Sequence, residues 1–304
     1  MFFRNVTMFC FPPAHDLSAL DAGLAECALK PVGPLELSSA GFVSPFGRDC
    51  EALSHRIGDA IWLTVGSESR LLPGAVVNEA LAKRLAAIEK EEGAAPGARI
   101  RRRLKDEIIV DMLPRAFVRP GRIDAVIDQG LGLIAVNTSS RKAAENVVSE
   151  VRRAIGSFPA LPLSAQASPR LTMSGWVAGD ELPEGLVIGD ECEMSEPADE
   201  RAKAKFTRQE LESEAIGQHL GNGMEVSRLA LTLNDHATFV VGDDLILRKF
   251  RLLDGAIGQL EHDDGDSLHA ELDARFALFV GELKRVFQAL RDGFSLALPG
   301  GENG

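Results

Sequence analysis

The chain has 304 residues and a formal net charge of −12, with 45% hydrophobic and 26% charged residues. This apolar content is enough for a globular core and excludes wholesale disorder, and no run approaches the roughly 18 apolar residues of a membrane-spanning helix. The four cysteines are sparse and form no C-x-x-C pair, so they predict neither a disulfide framework nor a zinc site.

The first 70 residues have the composition of short strands joined by turns. Apolar runs at 6–11 and 61–65 are typical of strands, and Pro/Gly clusters between them are typical of turns. The apolar start contains Arg4 and Asn5 and has no small-residue cleavage site. We therefore interpret it as a first strand and not as a signal peptide.

Two helices are predicted next, and the second is strongly basic. Apolar residues at helical spacing predict a helix over 75–89, which the Gly/Pro-rich segment 92–97 ends. The basic helix runs from about 98 to 113 and stops at Pro114.

A hairpin and another helix follow. Strand-like runs at 123–128 and 131–137 predict the hairpin. A G-x-G-x-x-A match starts at Gly130, but a dinucleotide site needs a helix where the second strand stands, so we interpret the match as the turn. An apolar face over 144–155 predicts the helix, and the segment 156–162 that ends it is a candidate linker.

The second half is predicted to begin with a loop-rich, acidic stretch that continues to residue 200. The elements predicted after it are a helix at 207–220, strands at 226–233, 237–241 and 245–250, and a helix at about 270–291 that buries Leu272, Phe276, Phe279, Leu283, Phe287 and Leu290. The tail from 299 to 304 is expected to fray.

These elements predict an α+β fold with mixed, largely antiparallel curved sheets and flanking helices. Four parts are expected within one unit. They are a strand-rich part at 1–73, a helical basic protrusion at 74–120, a hairpin and helix at 121–165 that pack back on the first part, and an α+β part at 166–304.

Charge is unevenly distributed along the chain. Residues 99–122 contain eight basic residues and three acidic ones, and residues 201–209 contain four basic residues and no acid. Residues 180–200 contain nine acids and no base, and 261–273 contain six acids with two histidines. This pattern is compatible with one basic and one acidic surface, or with solvated faces that have no partner.

Catalytic motifs are scarce. The sequence has no Gly-Lys dipeptide for a phosphate loop, no H-E-x-x-H and no G-x-S-x-G. The acids at 261–266, with His269, lack the ligand order of an EF-hand, so we interpret them as a solvated loop and predict no metal site.

One local motif predicts an anion site. Thr207-Arg-Gln-Glu210 has the T-x-x-E pattern of a capping box, which would place Thr207 at a helix N-cap and Arg208 and Gln209 in the first turn. Free backbone N–H groups and these two side chains would suit a phosphate diester. The alternative is that the box only starts a helix.

The chain resembles the RdgC family of bacterial recombination-associated proteins from residue 2 to the final helix. The stretches that carry the resemblance are Phe2-Phe-Arg-Asn5, Ala40-Gly-Phe-Val-Ser-Pro-Phe-Gly47, Leu72-Pro73, Leu113-Pro-Arg-Ala-Phe117, Gly132-Leu-Ile-Ala-Val136, Arg141-Lys-Ala-Ala-Glu145, Gly156-Ser-Phe-Pro159, Leu161-Pro-Leu163, Ser174-Gly-Trp-Val177, Arg228-Leu-Ala-Leu231 and Gly281-Glu-Leu283.

The resemblance implies a ring-shaped homodimer whose basic bore surrounds double-stranded or single-stranded DNA without marked sequence preference, and which limits access of the strand-exchange recombinase. It implies no catalysis and no cofactor, no membrane association, and a cytoplasmic, nucleoid-associated location. Phosphate contacts would dominate such binding, and base stacking would have to use Phe or Trp because the chain has no tyrosine.

The resemblance and the charge pattern together define the candidate site. Phe117 would close one of two dimer interfaces, the alternative being a core position, and Arg208-Gln209 would match the family's basic-Gln pair. Met224 and Leu233 depart from the family, which often has Lys at the first position and can have Trp at the second. The candidate DNA contacts are Arg101, Arg102, Arg103, Lys105, Arg115, Arg119, Lys203, Lys205, Arg208 and Gln209.

Two other functions remain open at this stage. A regulator could bind the recombinase directly through the acidic surface at 180–200. A metal nuclease could use the acids at 261–266, although their order supports no ligand geometry.

Overall fold

Antiparallel strands form the framework of the computed structural model, which describes residues 3–47, 50–197, 201–211, 213–258, 268–297 and 299. The predicted α+β class is confirmed. The acids at 261–266 and nearly all of the tail lie outside the described residues.

The first sheet has seven strands. They are β1 (Thr7–Cys10), β2 (Ser38–Val43), β3 (Ser54–Ile57), β4 (Ala60–Leu71), β5 (Phe117–Asp128), β6 (Leu133–Val136) and β7 (Leu161–Pro162). Their order is β2-β4-β5-β6-β1-β7, with β3 also paired to β4. A short strand, β8 (Ser164–Ala165), pairs with the last strand of the chain.

The second sheet has five strands. They are β9 (Leu186–Ser195), β10 (Lys203–Thr207), β11 (Glu225–Leu233), β12 (Ala237–Gly242) and β13 (Leu247–Leu252), in the order β10-β9-β11-β12-β13. Strand β14 (Leu296–Ala297) is the partner of β8. The three strands predicted between 226 and 250 are confirmed as β11, β12 and β13.

Eight α-helices lie in the described ranges. They are α1 (Leu20–Glu26), α2 (Gly74–Glu92), α3 (Ala98–Met112), α4 (Arg141–Ile155), α5 (Pro169–Ala178), α6 (Glu214–Gly221), α7 (Asp254–Ile257) and α8 (Leu268–Phe294). None of these helices is long and apolar enough to cross a membrane.

The central strands of the first sheet are apolar on both faces. Phe9, Ile134, Ile127 and Ile61 form one row across β1, β6, β5 and β4, and all are at most 1% exposed. The adjacent row, on the opposite face, consists of Met8, Ala135, Val126 and Trp62. The two rows belong to two separate hydrophobic clusters, so both faces of the sheet are covered by other elements.

Helix α4 covers one face together with α1. Its predicted apolar side is confirmed, because Ala144, Val147 and Val151 are buried. Gly23 on α1 lies so close to α4 that a Cβ there would be 2.0 Å from the Ala154 carbonyl oxygen. Only glycine permits this approach of the two helices.

Helix α8 lies between the two sheets. The Phe279 ring is 4.6 Å from the Phe3 ring and 6.2 Å from the Phe250 ring on β13. Lys284 on the same helix reaches the buried carboxylate of Asp128 at 2.9 Å. The described layers are therefore α1 with α4, the first sheet, α8 with α5, and the second sheet.

Three predictions about local structure are wrong. The segment 156–162 is not merely a linker, because Leu161–Pro162 pairs with β1. The stretch predicted to be loop-rich contains α5 and β9; in β9, Glu191 and Glu193 alternate with the buried Cys192 and Met194, and the high acid content concealed this alternation. Strand β5 begins at Phe117 and not at 123, because its first half pairs with the long strand β4.

The cysteines give a test of the core. All four are free thiols; Cys10 and Cys192 are buried, and this burial raises the pKa of each to about 12. Both therefore stay protonated at neutral pH, whereas Cys27 and Cys50 are partly exposed.

We expect iodoacetamide at pH 8 to label Cys27 and Cys50 and to spare Cys10 and Cys192 until the protein unfolds, as measured by peptide mass spectrometry. Labelling of Cys10 at the rate of Cys50 would contradict this fold.

Candidate nucleic-acid interface

Helices α2 and α3 form a hairpin that is mostly exposed. The left-handed Gly93 ends α2, and α3 begins after Gly97 and packs on α2. Across the two helices only Val77, Leu104 and Ile108 are buried. Both helix predictions are confirmed, but most of the apolar face predicted for α2 remains in contact with solvent.

The first half of the outer face of α3 is strongly basic, and Asp106 follows one turn after Arg102 on the same face. Leu104 and Ile108 mark the side that packs on α2, so Arg99, Arg102 and Arg103 lie on the opposite side by helical spacing. The exposed cationic side chains of this helix are Arg99, Arg101, Arg102, Arg103 and Lys105.

Few of these cations have partners. Arg103 pairs with Glu107 at 2.9 Å, and Arg101 donates to the Pro96 carbonyl oxygen at 3.0 Å. Within the described residues, Arg99, Arg102 and Lys105 form no ion pair. Cations at the start of a helix oppose the helix dipole, so this arrangement costs stability and favours an external anion.

The base of the hairpin is fixed by one arginine. Arg70, near the end of β4, donates to the carbonyl oxygens of Gly33, Leu113 and Ala116 at 2.8 to 3.3 Å. These bonds hold the end of α3 against the sheet. Arg70 is a positioning residue that the sequence did not reveal, since nothing in its strand distinguishes it from its polar neighbours.

Phe117 lies at this base and is 81% exposed. It pairs across the strands with Leu71, which is 45% exposed, and Val118 beside it is 42% exposed. The alternative of a core position for Phe117 is therefore wrong. Phe117 and Leu71 therefore form an exposed apolar patch next to the basic helix, whereas Val118 points to the other face of the strand.

Arg115, Arg119 and Arg122 follow the basic helix. Arg115 ends a single 3₁₀ turn that contains Pro114, and the other two lie on the exposed first half of β5. Arg122 donates to the Ser44 carbonyl oxygen at 2.8 Å, whereas Arg115 and Arg119 are exposed without an ion pair in the described structure.

The predicted capping box is wrong. Thr207 is the last residue of β10, Arg208 has a left-handed φ of 57°, and the helix begins only at Glu214, after Ser213 as N-cap. Strand pairing overrides the local motif, because β10 pairs residue by residue with β9 and places Phe206 against the core. Arg208 and Gln209 are exposed and line an open groove with Asp190 and Thr232.

Acidic and basic segments meet on the outer face of the second sheet, contrary to the expectation of separate surfaces. Glu193 on β9 pairs with Lys203 at 3.1 Å and with Arg228 at 3.4 Å. Glu191 pairs with Lys205 at 3.5 Å and with Lys249. These six side chains are called the sheet-face network below. The antiparallel pairing of β9 with β10 brings the two segments together.

The structure thus forms two cationic surfaces. One is the α2–α3 hairpin and its base, with Arg101, Arg102, Arg103, Lys105, Arg115 and Arg119; the other is the second sheet, with Lys203, Lys205, Arg208 and Gln209. Among the described residues, no group of three or more His, Cys, Asp or Glu side chains could hold a metal ion.

Comparisons with known proteins support a single relationship over almost the whole chain. The RdgC family model, described as "Putative exonuclease, RdgC", matches residues 1–296. The recombination-associated protein RdgC of Xanthomonas campestris pv. campestris is 54% identical over 298 residues, which cover 98% of this chain and 99% of that protein. The protein of the same name from Xylella fastidiosa is 53% identical over 291 residues, which cover 95% and 96%.

The free energy of unfolding can test whether Thr207 is a helix N-cap or the end of a strand. Loss of a helix N-cap would lower the free energy of unfolding by about 0.5–2 kcal/mol. Because Thr207 is instead exposed at a strand end, we expect Thr207→Ala to change it by less than about 0.5 kcal/mol. Urea unfolding measures the difference, with Ser140→Ala as the positive control, since Ser140 accepts a bond from the Ala143 N–H at the start of α4.

Proposed function

The chain belongs to the RdgC family, and from this premise we propose that it is a non-catalytic protein that binds DNA through the phosphate backbone without reading its sequence. We further propose that it does so as a homodimer and modulates homologous recombination by limiting recombinase access. The relatives are named recombination-associated proteins, which supports this role.

The observation that carries the proposal is the outer face of α3. Arg99, Arg102 and Lys105 are exposed and have no ion pair among the described residues, and Arg99 lies in the first turn, at the positive end of the helix dipole. A stabilising role for Arg99 is not apparent, because its position opposes the dipole. Contacts of cations with phosphates carry no sequence information, which fits sequence-independent binding to duplex and single-stranded DNA.

A basic surface on an acidic chain also supports a closed assembly. With a net charge of −12, the protein repels DNA everywhere except where its cations are concentrated. A ring-shaped dimer would turn the concentrated cations towards an enclosed duplex and leave the acidic remainder outside. The exposed apolar patch at Phe117 supplies a surface that a second copy could cover.

The alternative of direct contact with the recombinase through residues 180–200 has lost part of its basis. Glu191 and Glu193, in the middle of that segment, are paired with cations of the same sheet and are shielded from solvent. We retain the DNA-binding proposal as the better supported one.

DNA binding should depend steeply on salt concentration. The slope of log affinity against log salt concentration should depend on how many cations contact phosphates. We expect the double variant Arg99→Gln/Arg102→Gln to weaken binding to a 30-bp duplex and to reduce the log–log salt slope by about 2, since each lost phosphate contact removes about 0.9. The loss should be similar on unrelated sequences. Fluorescence anisotropy across a salt series measures both.

The matched control is Arg275→Gln/Arg291→Gln, which makes the same charge change on α8. Equal losses in both double variants would mean that only net charge matters and would contradict the assignment to α3. In the same tubes, DNA incubated with Mg²⁺ or Mn²⁺ should remain intact; release of nucleotides would overturn the non-catalytic part of the proposal.

Phe117→Ala should weaken the dimer and leave the fold intact. Truncation of a large apolar anchor at an interface often costs 2 kcal/mol or more, whereas an exposed side chain contributes little to folding. Sedimentation equilibrium measures the dimer and thermal unfolding measures the fold. Leu171→Ala is the control, because Leu171 on α5 is also exposed, at 59%. A dimer as tight as the wild type would place the interface elsewhere.

A further inference from the structure

The sheet-face network presents its cations outermost. The side chains of Glu191 and Glu193 are only 18% and 14% exposed, whereas those of Lys203, Lys205 and Lys249 are 51%, 56% and 58% exposed. Arg228 is 43% exposed. A molecule that approaches this face therefore meets ammonium and guanidinium groups before it meets a carboxylate.

The network also contains more cations than are required to neutralise its two carboxylates. Four cationic side chains surround two carboxylates, which leaves a formal excess of two positive charges. Exposed ion pairs contribute about 0–1 kcal/mol each, so fold stability alone does not account for the surplus. A phosphate oxygen, which is also an anionic acceptor, can take the place of either carboxylate at the same nitrogen atoms.

Backbone geometry at Lys249 adds an independent observation. β12 pairs Thr238 with Arg251 and Val240 with Arg248, so two residues of β13 oppose one residue of β12 in a β-bulge. Lys249 adopts a left-handed φ of 54° there, which costs about 1 kcal/mol in a residue other than glycine. The bulge turns Lys249 outward beside Arg248, and the ammonium group then reaches Glu191 on a strand three positions away in the sheet.

The face continues into the groove that holds Arg208 and Gln209. This groove is also lined by Gly189 and Asp190, the two residues that precede Glu191 on β9, by Thr232 on β11 and by the carboxylate of Glu210. Network and groove are therefore neighbours along strands β9 and β11.

We infer that the outer face of the second sheet binds the DNA phosphate backbone through Lys203, Lys205, Arg228 and Lys249, and that Glu191 and Glu193 compete with phosphate for these cations and so limit how tightly the face binds. This inference rests on the proposed DNA-binding function and adds a means of regulating it. The carboxylates keep the cations in place and are displaced when DNA arrives.

Competition by Glu191 operates throughout the usual pH range. The hydrogen bond from Lys249 lowers the pKa of Glu191 below its ordinary value, and the charge of Lys205 adds to the effect. The carboxylate therefore stays ionised wherever DNA binding is measured. A substitution, and not a change of pH, is needed to remove the competition.

The first test is Glu191→Gln, which releases Lys205 and Lys249 without removing a cation. We expect it to tighten binding to a 30-bp duplex about two- to five-fold at low salt, because DNA no longer has to displace a carboxylate from Lys205 and Lys249. Glu271→Gln is the matched control; Glu271 pairs with Arg275 on α8 at 2.7 Å, so the charge change is the same. Equal tightening in both variants would overturn the inference.

The second test is Lys249→Gly. Glycine adopts positive φ freely, so the bulge should persist and the unfolding midpoint should stay the same or rise. Loss of the cation should weaken DNA binding and reduce the salt slope by about 1. A lower unfolding midpoint with unchanged binding would assign Lys249 a purely structural role and overturn the inference.

The two proposals fail in different ways. If the wild type does not bind duplex DNA at any salt concentration, the proposed function itself fails. If the wild type binds and the α3 double variant weakens binding, but Glu191→Gln binds like Glu271→Gln and Lys249→Gly binds like the wild type, only the inference about this face is rejected.

Discussion

Burial of both faces of the central strands is the constraint on which the rest of the structure depends. Strands β1, β4, β5 and β6 carry large apolar side chains on alternate residues of both faces, so the sheet cannot expose either one. Helices α1 and α4 cover one face, and α8 with the second sheet covers the other. Charged side chains are thereby kept off the central strands, and the helical hairpin and the outer face of the second sheet are two of the places where basic side chains cluster.

The sequence predicted those elements in which the apolar residues recur at regular helix or strand spacing and are not hidden by a high content of charged residues. Helices α4 and α8 and strands β11 to β13 follow directly from their spacing, and the hairpin between β5 and β6 follows from the turn predicted at Gln129-Gly130. Strand β9 was missed because Glu191 and Glu193 occupy its outward positions and made a regular strand look like an acidic loop. The helix at 207 was wrong because a motif of four residues has less influence than five residues of strand pairing.

The candidate site shows the same division. Composition revealed both basic segments and indicated an exposed α3, but it could not show which cations are already paired. That distinction depends on long-range strand order, which places Lys249 against Glu191, and on Arg70, which reaches three carbonyl groups from two separate segments. The charge count along the chain therefore overestimated the positive potential of the segment 201–209. The same count was more accurate for α3.

The bonds of Arg70 have a mechanical consequence. The guanidinium of Arg70 links β4 to Gly33 on one side. On the other side it links β4 to Leu113, at the end of α3, and to Ala116, so one side chain fixes all of these segments. The hairpin cannot swing relative to the sheet without breaking several charge-assisted bonds at once. Phe117 follows Ala116 directly, so any change in the angle of the hairpin also reorients the apolar patch. The basic helix and the patch are therefore held in one relative orientation, and a displacement of either would have to move the other as well.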